Sequence, residues 1–213
     1  MNLSPVIIEK NVSTKEINKY FDSTTYSDVR SDLIQAIGLV GNQKIAIDCG
    51  CGAGSDIAYL LGEGFEVHAF DIESEAIIRC RRRFIDETNL YLSQESFGTF
   101  TYPRVSLIHA DASLFYCPPD GFESVWKKIN NALMTGGLFV GSFLGPRDTT
   151  TGSDYQRDVF WPDVLVFKEE DLRCLFEDLE IINWVEHELD GKTAQGIDHH
   201  WHVFSVIARK SVK

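Results

Sequence analysis

Residues 45–56 read IAIDCGCGAGSD: an apolar run closing on Asp48, then Gly50, Gly52 and Gly54 in alternate positions, then Ser55 and Asp56. Glycine adopts backbone angles closed to other residues and has no side chain, so such a turn brings bare backbone close to a ligand. The next apolar run, FEVHAFD, closes on Asp71. An acid about 20 residues past the glycines can accept both hydroxyls of a ribose. Glycine turn and distal acid together imply an adenine nucleoside. The plainer reading, glycines that only turn and an acid that only caps a helix, loses ground because strand, helix and acid stand in register.

Those residues need a scaffold that delivers them to one place. Hydrophobic patterning predicts a strand over residues 44–48, a helix over 56–61 and a second strand over 65–70. A helix follows from SEAIIRCRRRFIDE to about residue 87, and a third strand is read at VSLIHAD, ending on Asp111. Between them lies the polar and aromatic segment TNLYLSQESFGTFTYP, read as an insertion. After CPPDG come a helix, FESVWKKINNAL, an apolar strand, LFVGSFLG, a long loop over residues 146–165 and the helix KEEDLRCLFEDL. Two strands without an intervening helix, EIINWVEHEL and HVFSVIARK, close the chain and are expected to pair antiparallel at one edge. Alternating strands and helices are the signature of a parallel sheet covered on both faces. Residues 1–40, helical in two pieces over 14–21 and 28–37, are expected to cover a core formed by 41–213, all in a single domain.

With 213 residues, 44% of them hydrophobic, the chain can bury one good core. No apolar stretch reaches the roughly 18 to 20 residues of a membrane span, and the N-terminus lacks the basic and then apolar pattern of a signal peptide. A soluble, cytoplasmic protein is expected. Five cysteines without CxxC spacing give no disulfide framework or zinc pattern. A formal charge of −12 repels a polyphosphate backbone, which argues against a nucleic-acid substrate. The one basic cluster, RCRRRF, follows the acidic DIESEA, the order that a helix dipole favours.

IDCGCGAGSD, VHAFDIES, LIHADAS and NALMTGGLFVGSF, in that order and followed by a closing hairpin, resemble the class I S-adenosylmethionine-dependent methyltransferases over roughly residues 40–213. HHWHVFSVIARK and the CPP…F…W segment look most like the small-molecule members related to tellurite-resistance and thiopurine enzymes. The resemblance implies an α/β, Rossmann-like three-layer sandwich with strand order 3-2-1-4-5-7-6 and strand seven antiparallel. It also implies methyl transfer from S-adenosylmethionine to a small molecule. Gly50, Cys51 and Gly52 would lie against the methionine portion, with Asp48 orienting the turn or touching the amino group. Asp71 would hold the ribose, Ile72 would cover the adenine face, and Asp111 with Ala112 would read the adenine edge. Each has a structural alternative, Ile72 as core and Asp111 as a cap among them. Three acids at three successive strand ends are nonetheless more informative together than singly.

No catalytic side chain is assigned, because a general base is needed only when the nucleophile arrives protonated. Candidates to line an acceptor pocket are Tyr20, Tyr26, Phe115, Tyr116, Phe143, Arg147, Asp148 and Trp161. The run DHHWH at 198–202 has metal-ligand chemistry, but no cysteine or second acid cluster supports a metal, and edge-strand or acceptor-pocket histidines fit better.

One feature departs from the family pattern. Only ASLFYC separates Asp111 from Pro118, too little for the dozen or more residues of a parallel crossover to a fourth strand. The fourth strand is lost, SLFY replaces it, or residues are missing from the sequence. Two rivals therefore stand beside the methyltransferase: a binder of the nucleoside without catalysis, and an NAD(P)-dependent oxidoreductase. Gly-x-Gly-x-Gly spacing and an acid inside the turn count against the oxidoreductase.

Overall fold

The computed structural model describes residues 14–152, 164–193 and 196–211. In chain order the elements are α1 (Thr14–Thr24), α2 (Ser31–Ile37), β1 (Ile45–Cys49), α3 (Ser55–Gly62), β2 (Glu66–Asp71), α4 (Ser74–Arg83) and β3 (Leu90–Gln94). These are followed by β4 (Val105–Ala110), α5 (Phe122–Ala132), β5 (Leu133–Leu144), α6 (Glu169–Cys174), β6 (Leu179–Lys192) and β7 (Asp198–Lys210). Among the described residues the strands form one seven-stranded sheet of order β3-β2-β1-β4-β5-β7-β6. β1 to β5 pair in parallel, and β7 runs antiparallel to both β5 and β6.

This is the expected α/β architecture, with one reassignment. VSLIHA is the fourth strand, and the third lies inside the segment read as an insertion. β3 pairs with β2 from Val67↔Leu90 to Asp71↔Gln94, and β4 pairs with β1 through Ala46↔Leu107, Ile47↔Ile108 and Asp48↔His109. The fourth strand is present, and α5 makes its crossover to β5. β3 hides in the sequence because an edge strand is wetted along one side. Its residues are half-buried or exposed and none is fully buried, where β4 is buried along its whole length. The connection from β3 to β4 is held by aromatic packing: the Phe100 ring stacks on Phe70 at 4.2 Å, and Phe97 and Tyr102 meet the same ring edge-on.

Alternation along the strands sorts side chains onto two faces. Ile47, Cys49, Ile108, Phe139 and Phe143 build one layer with Trp126 of α5 and Leu172 of α6. Ala46, Val67, Leu107, Leu138 and Val140 build the other with Leu33 of α2, Ile57 of α3 and Cys80 of α4. A parallel sheet leaves every strand pointing its carboxyl end the same way, so Asp48, Asp71 and Asp111 reach one edge.

Candidate functional site

β1 runs into a turn whose glycines all have left-handed backbone: φ is 74° at Gly50, 50° at Gly52 and 82° at Gly54. Space also excludes side chains at two of them. A Cβ on Gly50 would meet the Ser113 Cβ at 2.6 Å, and one on Gly54 would meet the Phe84 ring at 2.8 Å. Gly52 has room, its nearest neighbour being the Phe21 ring at 3.8 Å, and its N–H donates to Asp71 Oδ2 at 2.9 Å. Asp71 Oδ1 accepts from the Glu73 N–H at 2.9 Å, so this carboxylate joins the turns that follow β1 and β2. Burial pushes the Asp71 carboxyl up, backbone donors at Glu73, Gly52 and Ile72 pull it down, and the field of Asp48 pushes it up again, leaving it above its ordinary value. Beside it, apolar Ile72 is 49% exposed.

Asp48 sits cross-strand from His109, both on the sheet face under α2 and α3. Each is 3% exposed, and His109 Nδ1 lies 3.1 Å from Asp48 Oδ1. The other oxygen, Asp48 Oδ2, is buried without a hydrogen-bond partner among the described residues. Burial disfavours the His109 imidazolium. The hydrogen bond to Asp48 and the fields of Asp48, Asp56 and Asp111 outweigh it, and the pKa rises to about 9. Asp56, in the first turn of α3, is pushed up to about 6 by burial; His109 opposes the rise and Asp48 and Asp111 add to it. Asp111 forms an ion pair with Arg30, just before α2. Nothing in the sequence singled out His109. Its signal was its place in β4, hidden while that segment was read as the third strand.

The cover is tied down over this cleft. Phe21 of α1 is buried against Ala53 and Ala76, Arg79 of α4 pairs with Asp22 at 2.7 Å, and Arg83 donates to the carbonyls of Thr25, Ala53 and Gly54. The basic cluster of α4 thus clamps α1 and the glycine turn. Tyr20, also on α1, has its phenol pKa raised by burial and by the fields of Asp71 and Asp111, against Arg30.

The acceptor-pocket candidates separate. Tyr20 is 37% exposed, with its phenol in the fields of Asp71 and Asp111. Tyr26 is 84% exposed, with the Arg83 guanidinium 5.0 Å from its ring centre. Phe143 is corrected to core: it is 0% exposed, packed among Trp126, Phe167 and Phe176. Phe115 is buried with its carbonyl accepting from Leu165 N–H at 2.7 Å, and its ring lies 4.5 Å from that of Tyr116. Arg147 pairs with Glu186 and Glu188, and buried Asp148 accepts from Thr150 and from the His202 N–H. Both serve the attachment of β5 to the β6–β7 hairpin. Trp161 lies outside the described residues.

Ala112 is the one non-glycine residue with positive φ, 46°, among the described residues. Its N–H donates to Ser142 Oγ at 2.8 Å, and Ser113 Oγ donates to the Cys49 carbonyl at 2.6 Å, pinning the turn after β4 to both neighbouring strands. The histidines of DHHWH go to carboxylates: His199 to Asp148, His200 to Asp190 and His202 to Glu186. Among the described residues no three His, Cys, Asp or Glu are grouped to hold a metal ion, and no helix is long and apolar enough to cross a membrane.

Residues 46–137 match the family model for a methyltransferase domain. No curated protein matches the chain. Among solved structures, TehB from Haemophilus influenzae aligns with a TM-score of 0.73 at 16% identity, over 92% of this chain and 67% of that one. A SAM-dependent methyltransferase from Methanosarcina mazei aligns with a TM-score of 0.67 at 19% identity, over 88% of this chain and 100% of that one. The 1,6-didemethyltoxoflavin-N1-methyltransferase of Burkholderia thailandensis, solved with 1,6-didemethyltoxoflavin and S-adenosylhomocysteine, aligns with a TM-score of 0.62 at 17% identity, over 93% of this chain and 86% of that one. The strand order agrees with the fold of these matches. Residues 46–137 are thus similar to a methyltransferase domain, and the seven-stranded sheet has the fold of the matched S-adenosylmethionine-dependent methyltransferases.

Proposed function

We propose that the protein transfers a methyl group from S-adenosylmethionine to a small molecule. The observation that carries this is Asp48 Oδ2, a buried carboxylate oxygen without a partner beside a glycine turn. Leaving such a group unsatisfied costs about 1 to 3 kcal/mol or more, and an ammonium group on a ligand would supply the missing donor. The residues present fit S-adenosylmethionine. Asp48 and the backbone of Gly50, Cys51 and Gly52 would hold the amino-acid end, Asp71 the ribose, and half-exposed Ile72 the adenine face.

Sheet order then assigns directions. Asp71 on β2 lies to one side of β1 and Asp111 after β4 lies to the other. A nucleoside whose ribose is at Asp71 extends its base towards β3, where the Gln94 side chain donates to the Ile72 carbonyl. Asp111 and Ala112 are therefore reassigned from the adenine edge to the side from which the methyl group leaves.

When bound, the sulfonium supplies a methyl carbon that is already electrophilic. What remains for the chain is to align the acceptor and exclude water. Arg30 and Asp111 pair on the β4 side, where the acceptor would approach, and Tyr20 stands in the field of both. A molecule of net charge −12 suits a small acceptor better than a nucleic acid. The toxoflavin enzyme among the matches supports the same reading. We take the chain to act as a single domain in the cytoplasm. Loss of catalysis rested on a missing fourth strand, and β4 is there. The oxidoreductase rival has no support in the matched domain.

Isothermal titration tests this reading. S-adenosylhomocysteine is expected to bind and NADH is not, and D71A should weaken binding roughly tenfold or more. No heat with S-adenosylhomocysteine at millimolar concentration would overturn the proposal. Methyl transfer to a panel of amines, thiols, phenols and inorganic anions then reads the acceptor.

A further inference from the structure

We propose that His109 is a positioning residue: it holds Asp48 Oδ1 so that Oδ2 stays turned to the ammonium of the methyl donor. The inference rests on the donor reading above and adds a residue that no motif marked. Three observations carry it. Asp48 and His109 are register partners on adjacent central strands, so their separation is set by the sheet and not by flexible loops. The contact uses one carboxylate oxygen, leaving the other buried and without a partner. Finally, His109 also lines a small cavity with Arg30, Asp32, Leu33, Asp111, Val140 and Gly141, so the ring is boxed in by β5, α2 and the residues flanking them.

Electrostatics adds a consequence that can be measured. The groups facing the imidazole are Asp48 from β1, Asp56 from α3, Asp111 after β4, and Arg30 and Asp32 at the start of α2. The acids outnumber the single guanidinium, and they keep the ring protonated at neutral pH. An ammonium arriving at Asp48 Oδ2 competes for the same negative charge. Donor binding must therefore lower the proton affinity of His109, and by linkage a deprotonated His109 binds the donor more tightly. A ring that merely filled space would show no such coupling.

The test uses the full chain and S-adenosylhomocysteine. Nitrogen-detected NMR follows the His109 ring through a pH titration with and without the ligand, and its titration midpoint is expected to fall on binding. Calorimetry then compares wild type, H109L and H109N. The asparagine amide can replace Nδ1–H, whereas leucine leaves Oδ1 without a donor. H109L is expected to lose roughly tenfold or more in affinity and H109N to stay within a few-fold of wild type. Should H109L fail to fold, the wild-type titration and H109N still decide. A midpoint that does not fall, H109L binding like wild type, or H109N binding no better than H109L overturns the inference. A wild type that ignores S-adenosylhomocysteine overturns the donor reading itself.

Discussion

At the scale of single residues, the cleft is a set of charges held in low dielectric, and its pH response follows. His109 is raised to about 9 from an ordinary 6.5. A basic group whose folded pKa is raised contributes stability that is fully present below the unfolded value and lost as pH rises through the folded one. Wild-type stability in urea is thus expected to fall between pH 7 and 10 by up to about 3 kcal/mol, a loss missing from H109N. A loss of equal size in both would mean that His109 carries no charge in the fold. Asp48, Asp71 and the glycines could be read from the sequence because their spacing within one strand–turn–helix unit is local. His109 could not, since its meaning depends on a partner 61 positions away. Arg147 and Asp148 misled for the same reason: their polarity is answered by the β6–β7 hairpin, out of view of any local pattern.

Among the elements, the glycine turn and the helical cover are the parts whose disturbance should be felt first. G50A combines a left-handed backbone, about 1 to 2 kcal/mol, with a clash against Ser113, which is itself fixed to Cys49. It should lower the melting temperature and weaken S-adenosylhomocysteine binding together. If only one changes, Ser113 moves independently of the site. R83A removes donors to the Thr25, Ala53 and Gly54 carbonyls, so amide exchange should quicken across α1 and the turn while α5 and β5 stay protected. Unchanged exchange in α1 would show that Phe21 packing alone holds the cover. Sequence patterning located both cover helices, β1, β2 and the closing hairpin, where periodicity or an apolar run is strong. It failed at β3, whose half-wet edge position dilutes the hydrophobic signal, and that one miss shifted β4 by a strand and created the apparent gap after Asp111.

For the whole molecule, one face of the sheet is packed by an aromatic layer between β5, α5 and the end of α6. The Trp126 ring meets Phe139, Phe143 and Phe176, and its indole N–H donates to the Leu175 carbonyl. W126A should cost about 3 to 5 kcal/mol in chemical denaturation, a cost well below that marking the tryptophan as peripheral. The amino-acid sequence by itself determined the fold class, the methyltransferase-like order of motifs, the glycine turn and the acid at 71, because each is written in neighbouring residues with a fixed period. The tertiary structure decided which strand lies beside which. It thereby decided that Asp111 stands across β1 from Asp71, that Phe143 is core, and that Asp48 shares its charge with His109. Strand adjacency in a parallel sheet is set by long crossovers and two-sided burial, and these long-range energies leave little local trace in the chain.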